Sequence, residues 1–255
     1  MKLNVVAPSA GIEWVRAGIR TFFRQPLALA GLFFMYMAMV MVTAMIPFAG
    51  PVFAGLLVPA ATLGLMAATA EASRGRFPMP SVLFSAFRAG RQRMQAILVL
   101  GAIYTVGSML ASGLASLVAG RPPAAVAAPQ VDFGVVVALL LHLPLFLLFW
   151  HAPALVHWHG VTPVKSLFFS FVAVMRNLGA HLVYSLAWGL VFVIVATVLA
   201  LVGGLIGGQG VAQTLLVPAA LLLAAMFSTS IYFSFKACFS EEAPEPAVDP
   251  LARSD

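Results

Sequence analysis

Leu56-Leu57-Val58-Pro59-Ala60-Ala61 recurs unchanged at Leu215-Leu216-Val217-Pro218-Ala219-Ala220. Both copies lie inside long uncharged runs, and a third such run carries Leu143-Pro144-Leu145 in the matching place. Outward from each proline the same order of parts is found: a basic amphipathic stretch, an apolar span, then a second apolar span that holds the proline. The order occurs over about residues 10–70, 78–156 and 163–237. It predicts an all-α membrane protein of six transmembrane helices in three pseudo-repeats, each an amphipathic interfacial helix plus a helical hairpin with a proline-kinked second span.

Composition agrees. Of 255 residues, 62% are hydrophobic and 9% charged, far below the roughly one quarter of charged residues in a soluble domain. Six uncharged stretches reach the roughly 20 residues a helix needs to cross hydrocarbon: Leu27–Ile46, Pro51–Ala70, Ala96–Ala119, Val135–Val156, Ala180–Val202 and Val211–Phe235. They are continuously apolar rather than alternating, which excludes a β-barrel pattern. The lone cysteine, Cys238, gives no disulfide framework. The apolar stretch between Lys2 and Ala10 is too short for a cleavable signal, so the first span is expected to direct its own insertion.

A net charge of +6 read alone suggests nucleic acid; its placement points to a membrane surface instead. Lys2, Arg16, Arg20 and Arg24 precede span one; Arg74, Arg76, Arg88, Arg91 and Arg93 separate spans two and three; Lys165 and Arg176 separate four and five; Lys236 and Arg253 follow six. Only Arg121 falls in an alternate connection. The positive-inside rule then sets both termini in the cytoplasm. Residues 1–240 form one polytopic domain, and the acidic, proline-bearing tail 241–255 reads as disordered.

Three stretches have amphipathic patterns suited to the interface. Before span one, Ile12, Val15, Ile19, Phe22 and Phe23 oppose Glu13, Arg16, Arg20 and Arg24. Over Ser81–Gln95, Leu83, Phe84, Phe87 and Met94 oppose Ser85, Arg88, Gln92 and Gln95. Over Val164–Asn177, Leu167, Phe168 and Phe171 oppose Ser166, Ser170 and Asn177. The last two align without gaps, Pro78 through Ser85 with Pro163 through Ser170, and Arg91 then matches Arg176. Arg16, Arg20, Arg24, Arg88, Arg91 and Arg93 are the residues predicted to meet anionic head groups.

No span has an Asp, Glu, Lys or Arg in its interior, which counts against ion-coupled transport. Pro59, Pro144 and Pro218 are expected to kink their helices and free carbonyls for partners inside the bundle. Ser108, Ser112 and Ser116 beside Ala111, Ala115 and Ala119 make a face for close helix packing. Among the histidines, His142 lies deep in span four, where a kink-freed carbonyl is its expected partner, and His151 nearer the cytoplasmic end. His157 and His159 flank Trp158 as an interfacial belt. Gly203, Gly204, Gly207 and Gly208 read as an outer loop. No nucleotide, hydrolase or metal motif is present, so no catalytic residue, metal or cofactor is predicted.

His151 through Pro163, Ser166–Ser170 and Arg176 resemble uncharacterised bacterial inner-membrane families. Gly18–Pro26 and Phe77–Ser81 resemble one proteobacterial six-span family of unknown function, over most of the chain. A more distant similarity is to the membrane domain that accompanies glycerophosphodiester phosphodiesterases; those relatives carry an acidic residue near His157–His159. The resemblance implies a six-span inner-membrane protein.

Two functions fit. The first is a non-enzymatic scaffold, assembly partner or lipid-associated factor whose partners are the bilayer, its anionic lipids and a further membrane protein, with no nucleic acid. The second is a transporter or channel for a small neutral or lipidic solute. An intramembrane enzyme using His142 or His151 ranks third.

Overall fold

The computed structural model describes residues 1–119 and 133–240, apart from the side chains of residues 207–209 and 212. Arg121 and the tail 241–255 lie outside the described residues. Helices α1 (Ala10–Arg24), α2 (Pro26–Ala44), α3 (Gly50–Ser73), α4 (Ser85–Arg88), α5 (Arg91–Ala119), α6 (Phe133–Phe149), α7 (Ala152–His159), α8 (Pro163–Arg176) and α9 (Leu178–Cys238) follow one another. One 3-10 turn, Pro80–Phe84, precedes α4. Among the described residues six segments are long and apolar enough to cross a membrane: Pro26–Ala44, Gly50–Ser73, Arg91–Ala119, Phe133–His159, Leu178–Ile206 and Gln213–Cys238. The expected spans differ from these by a few residues at their ends.

Helical backbone continues through Gly203–Gly210, where the sequence pattern places a loop. Yet Tyr184 Oη and Ser230 Oγ are 2.6 Å apart, and 46 residues of straight helix span about 70 Å. The 61-residue α9 is therefore two antiparallel arms that reverse near the glycines. Trp188 against Phe227 and Tyr184 against Phe227 continue the same register.

α1 packs across both arms. Gly11, Trp14, Val15, Gly18 and Phe22 form its buried stripe, at the three- and four-residue spacing of one helix face. A Cβ on Gly18 would overlap the Cβ of Ser230, and one on Gly11 the carbonyl of Ala180. Of the apolar face that the sequence pattern assigns to the interface, Val15 and Phe22 pack into the bundle while Ile12 and Phe23 are exposed; glycine makes the closer contact with α9.

Two surface helices depart from expectation. Ser81–Gln95 is not one helix: Gly90 has φ +95, a conformation that breaks the helix after α4, and Arg91 and Arg93 open α5. α8 buries its polar face together with Leu167. Ser166, Ser170 and Asn177 are buried while Phe168 and Phe171 are exposed. Lipid is as apolar as a protein core, so small hydroxyl and amide side chains gain more by bonding inside the bundle.

The repeated hexapeptide occupies unlike places. Ala60 and Ala61 in α3 are buried, whereas Leu215 and Val217 in α9 are exposed. Pro59 is buried, but Pro144 and Pro218 lie on the outward side of their helices. At the chain ends, β1 (Lys2–Leu3) pairs antiparallel with β2 (Phe239–Ser240), and the Asn177 side chain bonds both the Val6 N–H and the Asn4 carbonyl. Both ends of the six-span bundle are thus held on one side.

Candidate functional site

That side gathers the basic residues. Arg16, Arg20, Arg24, Arg88, Arg91 and Arg93 are all exposed. No carboxylate pairs with any of them among the described residues. Gln25 ties the end of α1 to the far end of α3 by donating to the Arg76 carbonyl at 3.1 Å. Arg74, Lys236 and Ser240 border one cleft of about 420 Å³ whose walls are aromatic, with Trp158 stacked on Phe235 at 5.2 Å. Unpaired cations over aromatic and aliphatic surface are the arrangement that attracts phosphate-bearing head groups at a membrane face.

A second region lies inside the bundle. A cavity of about 220 Å³ opens between α3, α5, α6 and α9, lined by Val58, Thr62, Tyr104, His142, Phe146 and Trp150 among others. His142 Nδ1 is 2.8 Å from the Ala138 carbonyl and Nε2 is 3.3 Å from Ser108 Oγ. A carbonyl only accepts, so Nδ1 carries a proton and the ring is anchored between the Ala138 carbonyl and the Ser108 hydroxyl. The partner of His142 is therefore not a proline-freed carbonyl. Pro144 frees the carbonyl of Leu140, whereas Ala138 is one helical turn back from the histidine itself.

Span four breaks elsewhere. α6 runs through Pro144 to Phe149, and the interruption falls at Trp150–His151. There Ser170 of α8 inserts its hydroxyl into the helical ladder: the His151 N–H donates to Ser170 Oγ at 3.0 Å, and Ser170 Oγ donates to the Leu147 carbonyl at 3.0 Å. Residues 147 and 151 are the pair that would bond directly in an unbroken helix. Pro153, in the first turn of α7, lacks the donor two residues on, which would otherwise reach the Phe149 carbonyl.

His151 is fully buried, and neither of its ring nitrogens has a hydrogen-bond partner among the described residues. Its ring lies 5.9 Å from that of His181 and 5.5 Å from Phe239. His181 Nδ1 donates to the Asn177 carbonyl at 3.0 Å while its Nε2 has no partner there. Nearby, Ser230 accepts from the Trp188 indole at 3.1 Å, and Ser234 accepts from Trp150 at 3.0 Å. No three His, Cys, Asp or Glu side chains converge as a metal group would require among the described residues. Of the small-residue face in α5, Ala111 and Ala115 are buried but Ser112 is exposed.

Ser170, Ser230 and Asn177 escaped the sequence pattern as interior residues. The signal was present: Ser166 and Ser170 are four apart, the same spacing that marked the packing face of α5.

A bundle of long apolar helices that buries serine–tryptophan pairs between its spans and carries exposed cations at one end is a polytopic membrane protein. Over 259 residues the chain is 33% identical to a protein of Burkholderia thailandensis named a probable inner membrane protein, with 96% of each chain covered. The chain belongs to that protein's family, and it is a multi-pass inner-membrane protein. No protein-family model matches it, and no solved structure does.

Proposed function

We propose that this is a non-enzymatic, lipid-associated membrane protein that engages anionic head groups through its basic end and presents that surface to a membrane partner. The observation that carries the reading is the set of six exposed arginines without carboxylate partners among the described residues. In this reading the basic end faces the cytoplasm, so both chain termini are cytoplasmic, and the three surface segments with their hairpins descend from one triplicated unit. Pro59, Pro144 and Pro218 bend their spans. The test is lipid enrichment around protein reconstituted in nanodiscs of phosphatidylcholine with phosphatidylglycerol. Each interfacial cation contributes about 1 kcal/mol toward an anionic surface, so replacing all six arginines by Gln should cut anionic enrichment at least about tenfold. Unchanged enrichment refutes the proposal.

One observation favours the second reading, passage of a small neutral or lipidic solute: the 220 Å³ cavity lined by Val58, Thr62 and His142. Flux through reconstituted vesicles, abolished by Thr62→Leu and Val58→Phe, is its test.

A further inference from the structure

A separate cleft at the basic end has groups of both signs. Glu71, in the last turn of α3, and Arg88, closing α4, line a space of about 390 Å³ with Ser81, Ser85 and His157. Glu71 and Glu13 are the two acidic residues among the described residues. Arg74 and Arg76 follow Glu71 closely, but it is their backbone N–H groups that bond the Glu71 carbonyl. No cation pairs with the carboxylate itself among the described residues. Ser85 Oγ and His157 Nδ1 are shielded from water and also lack partners there. Ser85 aligns with Ser170, yet where Ser170 bridges a helix break, Ser85 has no polar atom to bridge.

Shielded polar groups in native proteins are almost always bonded, so this set calls for a partner outside the chain. A simple anion would set its charge against Glu71, and a simple cation against Arg88. A ligand with an ammonium and a phosphate a few bonds apart satisfies both. At the lipid-facing end of a membrane bundle, that chemistry belongs to a phospholipid head group. A primary ammonium has three N–H donors for the carboxylate; a quaternary one has none.

We propose that this cleft binds the head group of a zwitterionic phospholipid with a primary ammonium. Glu71 accepts from the ammonium, and Arg88, with the rotatable hydroxyls of Ser81 and Ser85, donates to the phosphate. The inference rests on the reading that the basic end meets lipid head groups, and it adds a single defined site of different selectivity.

The experiment is native mass spectrometry of the full chain after equilibration in nanodiscs of equal phosphatidylethanolamine, phosphatidylcholine and phosphatidylglycerol. Wild type should retain one phosphatidylethanolamine in preference to phosphatidylcholine by roughly ten- to a hundredfold, the scale of one charge-assisted hydrogen bond. Glu71→Gln should bring that ratio near one, Glu71→Asp should keep most of it, and Arg88→Gln should lose both zwitterionic lipids. Each variant is compared only as monodisperse protein. An equal ratio in wild type, or an unchanged ratio in Glu71→Gln, overturns the proposal. The five-arginine variant lacking Arg16, Arg20, Arg24, Arg91 and Arg93 should lose phosphatidylglycerol and keep the ratio. If it keeps phosphatidylglycerol as well, the general reading fails while the cleft stands; if it loses the ratio, the cleft fails.

Discussion

Replacing Ser170 by alanine removes one hydroxyl and strands two backbone groups, the His151 N–H and the Leu147 carbonyl. Both lie where Ser170 and His151 are fully buried, so water cannot substitute. Polar bonds between membrane helices average about 0.6 kcal/mol and reach about 1.7, so two such bonds set a range of about 1–3 kcal/mol. The stranded groups push the value toward the upper end, because a buried backbone group without a partner costs about 1–3 kcal/mol by itself. The expected loss is about 2 kcal/mol, read as reversible unfolding in mixed micelles or as a fall in the melting midpoint. Ser166→Ala is the control: its hydroxyl donates only to the Pro163 carbonyl of its own helix, at 2.6 Å, and the loss there should stay under about 1 kcal/mol. Ser170→Thr keeps the hydroxyl and should recover part of the stability. A Ser170→Ala loss below about 0.5 kcal/mol would refute the claim that a side chain from α8 completes the broken ladder of span four.

Other outcomes follow from the same packing. Gly18→Ala should destabilise by about 1–3 kcal/mol through overpacking against Ser230, while Gly31→Ala, with open space around it, should be neutral in the same assay. His151→Leu removes two ring nitrogens that lack partners among the described residues; stability should hold within about 1 kcal/mol or rise, and a larger drop measured by thermal unfolding would show that the imidazole has a partner. In a Cys238→Ala background, Arg76→Cys and Lys165→Cys should react with an impermeant maleimide from the cytoplasmic side, and Ile46→Cys and Thr214→Cys from the other. Labelling of Arg76→Cys and Ile46→Cys from the same side would show that α3, which lies between them, does not cross the membrane.

The spans themselves were plain in the sequence, since a stretch of twenty uncharged residues has few alternatives in lipid. The direction each helix faces was not. Trained on soluble proteins, the rule that polar residues turn outward misplaces Ser166, Ser170 and Asn177 of α8, because in a bilayer the outside is apolar too. Proline gave a strong local signal at Pro144, yet the break in span four belongs to a serine 19 residues beyond the residue whose N–H it accepts, a long-range contact with no local mark. The single-turn geometry at Gly90 likewise depended on one glycine among 21. The arginines were legible as surface residues because charge near the bilayer has one place to go. The absence of a cation partner for Glu71 among the described residues was not, since Arg74 and Arg76 stand three and five residues from it in sequence.

The docking of α1 against both arms of α9 also sets an order of assembly. Ser230, which Gly18 touches, is made some 200 residues after α1, a delay of about 10–40 s at ordinary synthesis rates. Through that interval the first helix has no cradle, and its stripe of Trp14, Val15 and Phe22 must shelter at the bilayer surface or with a chaperone. Only when the last hairpin is threaded can the nascent chain close its two ends together, so the clasp of Lys2–Leu3 on Phe239–Ser240 is the signature of a finished molecule.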